Sequence, residues 1–182
     1  MHRHLSASVT ALVAWCLFSL MPTVSHAADP SAKPHDGKVY IISNVHSGKR
    51  LAIEGGSKEL NGKLVQDDAT KTHVTWRLEK MGEGHFRIVN TSSDLSLDVP
   101  AESKEAGVQI EQWMTKTDPG TTSNQEWEFI KRGDHYAIRS RDSQLVLAVD
   151  DRSKNSGAAV KQLPLRDRDD NSQLWILTEV RK

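Results

Sequence analysis

Between Leu97 and Trp127 the chain sets out an acid, a tryptophan and a pair of amides. Asp98 lies in the run Leu95-Ser96-Leu97-Asp98-Val99. Trp113 closes the run Gly107-Val108-Gln109-Ile110-Glu111-Gln112-Trp113. Asn124 and Gln125 stand just ahead of Trp127. These residue types match what recognition of a sugar ring demands. A flat aromatic face stacks on the weakly apolar C–H groups of the ring. A carboxylate accepts hydroxyl hydrogen bonds, which are stronger for its charge, and a carboxamide both donates and accepts, as a hydroxyl does. Each residue also has a plainer reading. Trp113 would serve as a core aromatic, Asp98 as a turn acid before Val99-Pro100, and Asn124 as a loop amide. Strand parity favours the first role for Trp113. Val108, Ile110 and Gln112 share one face of an extended segment, and Gln109, Glu111 and Trp113 share the other, so the tryptophan is expected exposed among polar neighbours.

The elements that must position these residues repeat. Trp76, Trp127 and Trp175 recur at a period of about 50 residues, in Thr75-Trp76-Arg77-Leu78, Glu126-Trp127-Glu128-Phe129 and Leu174-Trp175-Ile176-Leu177. Upstream of each stands an aromatic with a β-branched partner two positions on: Tyr40 with Ile42, Phe86 with Ile88, Tyr136 with Ile138. Next comes a leucine with an apolar partner two on: Leu51 with Ile53, Leu97 with Val99, Leu147 with Val149. A glycine follows, at Gly62, Gly107 and Gly157, before a third strand carrying Val65, Ile110 or Val160. Spacing of two puts both apolar side chains on one face of a strand. Each unit therefore offers four short strands with one face to bury, and no unit can bury that face alone. Closing three units around a common axis does so and removes exposed edges. Propellers have similar blades but typically need at least four. The expected fold is all-β, a β-trefoil of three pseudo-symmetric four-stranded repeats at about 38–82, 83–132 and 133–180, within a domain spanning 38–182.

Gln125-Glu126-Trp127 and Gln173-Leu174-Trp175 are similar to the Gln-x-Trp motif of ricin-B-type lectin domains, and the resemblance extends from Lys38 to Val180. The first unit departs from it, since Val74-Thr75-Trp76 lacks the glutamine. The family's sugar contacts are the acid after the second strand's leucine, an aromatic after the third strand and an asparagine near the motif. By that resemblance they fall on Asp98, Trp113 and Asn124, with Gln125 either structural or touching ligand beside Asn124. The flanking units act as internal controls. The acid position holds Ala52, Asp98 and Ala148. Counted from the glycines, the aromatic position holds Asp68, Trp113 and Leu163. The amide position holds His73, Asn124 and Ser172. The middle unit combines all three chemistries, so one carbohydrate site per chain is expected. Galactose-type ligands are what the resemblance implies most commonly.

Composition bounds the remainder. Residues 1–27 have the pattern of a cleavable secretory signal: Arg3, an apolar run from Val9 to Leu20, Pro22, and Ser25-His26-Ala27 as the cleavage site. The expectation is a protein that is secreted, periplasmic or on the cell surface. Residues 28–37 read as a flexible leader. The one cysteine, Cys16, leaves with the signal, so the mature chain has no disulfide or thiolate chemistry. The 24 basic and 24 acidic residues balance, which excludes the basic footprint of a nucleic-acid binder and a polybasic membrane patch. His35, His46, His73, His85 and His135 are scattered without metal-ligand spacing, so no metal or other cofactor is expected. The run Asp167–Asp170 reads as a solvated loop, and Asn90-Thr91-Ser92 fits a glycosylation sequon. The reading is a non-catalytic carbohydrate-binding module whose partner is a saccharide or glycan. The alternative is a protein-interaction or inhibitory trefoil with a vestigial sugar site. An enzyme pairing Asp98 with Glu111 is the third and weakest reading.

Overall fold

A computed structural model describes residues 31–68, 74–118, 120–166 and 170–181. The expected signal segment lies outside them, as do His73 and most of the Asp167–Asp170 run. Among the described residues every regular element is a strand or a short 3₁₀ turn. The first unit holds β1 (Val39–Asn44), β2 (Arg50–Ile53), β3 (Leu64–Asp67) and β4 (Thr75–Gly82). The second holds β5 (His85–Asn90), β6 (Ser96–Asp98), β7 (Glu111–Trp113) and β8 (Trp127–Arg132). The third holds β9 (His135–Ser140), β10 (Val146–Val149), β11 (Val160–Leu163) and β12 (Trp175–Glu179).

Two strands from each unit close a six-stranded barrel. β1 pairs with β4, β4 with β5, β5 with β8, β8 with β9, β9 with β12, and β12 returns to β1, every pair antiparallel. The remaining hairpins, β2–β3, β6–β7 and β10–β11, touch one another through single bridges at Lys63–Glu111, Val65–Ala159 and Gln109–Lys161. This is the β-trefoil. Its core takes the same positions from each unit: Trp76, Trp127 and Trp175; Ile42, Ile88 and Ile138; Leu51, Leu97 and Leu147, all fully buried. Each tryptophan donates its indole N–H to the carbonyl of its own unit's leucine, at 3.0 Å (Leu51), 3.3 Å (Leu97) and 3.1 Å (Leu147). The polar handle of a buried aromatic is thereby satisfied.

Three buried glutamines tie the units together. Gln112 Oε1 accepts from Ser93 Oγ at 2.7 Å, and its Nε2 donates to the carbonyls of Ser57 and Glu59 in the first unit. Gln66 and Gln162 make the same bonds, to Ser153 and Asn155 of the third unit and to Ser103 and Glu105 of the second. This cyclic arrangement fixes each unit's β2–β3-type loop against its neighbour's third strand.

Four readings are corrected. The register of the first unit is one residue earlier than its glycine indicates. Gln66, Gln112 and Gln162 each oppose the leucine of the second strand. Leu64 therefore matches Ile110 and Val160, and Asp67, not Asp68, matches Trp113. The left-handed backbone position held by Gly107 and Gly157 is held in the first unit by Asn61, at φ 62, a residue that tolerates that conformation. Gly62 answers a different need, since a Cβ there would stand 2.8 Å from Ile53 Cγ2 and 2.9 Å from Gln112 Nε2. Residues 31–37 are not a free leader. Ser31 Oγ accepts from the Leu177 amide, Ala32 N–H donates to the Leu177 carbonyl, and the Tyr40 hydroxyl donates to the Lys33 carbonyl. Asp170 is buried rather than solvated. Burial alone would raise its carboxyl, but bonds from Ser172 and Arg166, then Arg152, hold it down at about 2. Asn90 of the sequon is buried too, at 1 % exposure, which closes it to a glycan in the folded chain.

Candidate functional site

The hairpin β6–β7 carries the site. Its register sets Asp98 opposite Glu111 and Ser96 opposite Trp113. Val99 N–H donates to the Asn124 carbonyl, which brings the 3₁₀ turn Ser123–Gln125 against the hairpin. A cleft of about 660 Å³ opens there. Asp98, Trp113, Asn124 and Glu111 form its floor and wall, and Pro100, Ala101, Glu102, Lys116 and Asn61 form its rim. The structure thus brings the three sequence-derived residues Asp98, Trp113 and Asn124 to one cleft. Trp113 is half-buried rather than fully exposed, and its same-face neighbour Glu111 is buried. The indole shows the cleft part of its surface.

Asp98 is the best-supported polar group. Its Oδ2 accepts from Gln125 Nε2 at 2.8 Å and from Asn124 Nδ2 at 3.0 Å. Its Oδ1 accepts no hydrogen bond among the described residues. The residue is 3 % exposed. Burial pushes its carboxyl up to about 6, opposed by the Gln125 bond and the Lys116 charge and assisted by the Glu111 charge. Low solvation at a cleft with a specific charge partner is the setting of functional carboxylates.

The two amides stand behind the acid. Asn124 Nδ2 is shared between Asp98 and the Val99 carbonyl, and its Oδ1 accepts from Lys116 Nζ at 3.0 Å. Gln125 is fully buried. It donates to Asp98 and to the Met114 carbonyl and accepts from the Lys116 amide at 2.9 Å. Gln173 repeats the last two bonds with Pro164 and Arg166 in the third unit. Ligand contact by Gln125 is therefore corrected: it lies outside the lining of the cleft and holds Asp98 from behind, with both ends spent on loop and acid.

Lys116, Glu102 and Asn61 did not figure in the sequence reading. Lys116 Nζ pairs with Glu102 Oε1 at 2.8 Å beside its bond to Asn124, so an ammonium stands where a loop amide was expected to face ligand. Asn61 belongs to the first unit and reaches the cleft because its amide donates to the Gln112 carbonyl at 3.0 Å. Only the closure of the trefoil brings it there, and no local pattern announces that. Lys63, also of the first unit, pairs with Glu111 at 2.5 Å.

The equivalent positions elsewhere lack this chemistry. In the first unit Ala52, Val65 and Val74 occupy the places of Asp98, Glu111 and Gln125, and they pack as a small apolar cluster. In the third unit the cleft is lined by Val149, Asp150, Asp151, Arg152, Leu163 and Arg166, with Leu163 in the place of Trp113 and Ala148 in that of Asp98.

Solved structures share the architecture. A designed threefold-symmetric protein, ThreeFoil, superposes with a TM-score of 0.72 at 28 % identity, covering 78 % of this chain and 99 % of that one. An exo-β-1,3-galactanase from Clostridium thermocellum gives 0.72 at 33 % identity over 81 % of this chain, which spans 31 % of that enzyme. The C-terminal half of an earthworm R-type lectin, in complex with GalNAc, gives 0.61 at 22 % identity over 79 % of this chain and 99 % of that one. No match was found among curated protein sequences. The family described as ricin-type beta-trefoil lectin domain-like matches residues 27–113 and 123–182. The chain belongs to the ricin-type β-trefoil lectin-like family.

Proposed function

We propose that the protein binds a saccharide, without catalysis, in the single cleft of its second unit. Trp113 stacks on one face of a sugar ring. Asp98 Oδ1, the free oxygen of an acid whose other oxygen is held by two amides, accepts a hydroxyl. Lys116 and Glu102 meet further hydroxyls at the rim. The observation that carries this reading is the convergence of Asp98 and Trp113 on one cleft, with Asn124 behind, while both flanking units hold alanine at the acid position. Family membership supports carbohydrate binding in general. The galactanase and the GalNAc-bound earthworm lectin support a galactose-type ligand. The amino-terminal pattern supports action outside the cytoplasm. A lone site of this kind binds a monosaccharide weakly, so avidity comes from clustered ligand.

A second reading, a trefoil used for protein contacts, is favoured by the Ala52–Val65–Val74 cluster, in which a whole binding position has become apolar core. A glycan array probed with the mature domain separates the two. Saccharide binding predicts a defined set of positive glycans lost in Trp113→Ala and Asp98→Ala. An array without signal, or variants that bind as well as wild type, favours the scaffold.

A further inference from the structure

The cleft has a charge pattern that a neutral sugar does not require. The β6–β7 register places Asp98 directly opposite Glu111, and like charges directly opposite on a ladder destabilise the pair. Both residues are nearly buried, at 3 % and 6 % exposure. Each uses one oxygen: Asp98 Oδ2 for the two amides, and Glu111 Oε2 for Lys63. Asp98 Oδ1 and Glu111 Oε1 accept nothing among the described residues, and both side chains line the cleft. With Glu102, the walls hold three carboxylates against one ammonium, Lys116, which is already engaged by Glu102 and Asn124. Lys63 offsets Glu111 in part and leaves the cleft net negative. The pairing is particular to this unit. Its counterparts are Ala52 opposite Val65 and Ala148 opposite Lys161.

A buried pair of acids with two free acceptor oxygens beside a half-buried tryptophan suits a cation carried on a sugar ring. An ammonium donates three hydrogen bonds and supplies the missing positive charge, while the tryptophan covers the ring's apolar face. Among the described residues no group of three or more His, Cys, Asp or Glu side chains is placed to hold a metal ion, and the pair offers an ammonium two acceptors. We infer that the cleft selects hexosamines with a free amino group, placing the protonated amine between Asp98 and Glu111, and disfavours glycans that present a carboxylate. This rests on the saccharide reading above and specifies its ligand class.

The test is calorimetric titration of the mature protein with three matched sets: galactose, galactosamine and N-acetylgalactosamine; glucose, glucosamine and N-acetylglucosamine; and galacturonate with glucuronate. In at least one stereochemical series the free amine binds about tenfold more tightly than both its parent sugar and its N-acetyl form, as one ion pair in a partly buried site provides. That preference shrinks as salt is raised and drops below about threefold in Glu111→Gln, a substitution of matching shape. The uronates bind more weakly than the parent sugars. Equal affinity for parent sugar and amine, with binding intact, overturns the charge inference and leaves the saccharide reading standing. A preference that survives both salt and Glu111→Gln also overturns it. No binding by any sugar overturns both. Calcium displacing a bound amine at micromolar concentration assigns the carboxylate pair to a metal and contradicts the inference.

Discussion

At the scale of single residues, two buried acids of this chain are set in opposite directions, and that gives each a distinct signature. Asp98 is raised to about 6 by burial. Its folded form holds a proton more tightly than its unfolded form, so the stability it contributes is present at low pH and is lost as pH rises from the ordinary aspartate range through about 6. Asp98→Asn is therefore expected to raise stability at pH 7 by on the order of 1–2 kcal/mol and to change little at pH 4. Asp170 is lowered to about 2 by Ser172, Arg166 and Arg152. Its contribution is present above the ordinary range and fades as pH falls toward 2, so Asp170→Asn costs on the order of 1–2 kcal/mol at pH 7. Denaturant melts of both variants at pH 4 and pH 7 check the two signs. Saccharide affinity follows the same group: if ionised Asp98 accepts the ligand, affinity falls about tenfold between pH 7 and pH 5, and a flat profile contradicts that role. The residue types were legible in the sequence, where Asp98, Trp113 and Asn124 stood out against their alanine, leucine and serine counterparts. Lys116 and the rear position of Gln125 were not, because they depend on which lone pairs the loop has already used.

Among the elements, the turn after the second strand shapes the rim of the cleft. Ala101 and Glu102 stand at φ 51 and 54, Asp151 and Arg152 at 49 and 53, and Gly55 and Gly56 at 60 and 68. All three units thus make two successive left-handed residues there, and only the first uses glycine for it. Non-glycine residues in this region carry strain of order 1 kcal/mol each, and such strain collects beside binding sites. Ala101→Gly is predicted to be neutral or stabilising by up to about 1 kcal/mol, and Ala101→Val, β-branched, to destabilise by more than about 1 kcal/mol. Thermal melts of the two variants decide it. The strands were legible from spacing-two pairs such as Leu97 with Val99. The first unit's register was not, because Asn61 performs the backbone task that glycine performs in its neighbours, while Gly62 is glycine for lack of room beside Gln112.

For the molecule as a whole, the glutamines couple the fold to the site. Removing Gln66, Gln112 or Gln162 deletes two hydrogen bonds to loop carbonyls of the neighbouring unit, each worth about 0.5–1.5 kcal/mol. Alanine at each is expected to destabilise by similar amounts in chemical denaturation. Only Gln112→Ala also weakens saccharide binding, since Gln112 holds the first-unit loop that carries Asn61 to the cleft. The threefold architecture was legible from the period of its tryptophans and the aromatic, leucine and glycine positions that recur with them. The docking of residues 31–37 was not, since it relies on backbone bonds to Leu177 that a polar, proline-containing segment does not advertise. The central claim is one saccharide site per chain, in the second unit. Calorimetric titration with a glycan positive on the array tests it most directly. The account predicts a stoichiometry of one, abolished by Trp113→Ala in a variant that keeps its wild-type fold; two or three equivalents per chain, or full binding by Trp113→Ala, contradict it.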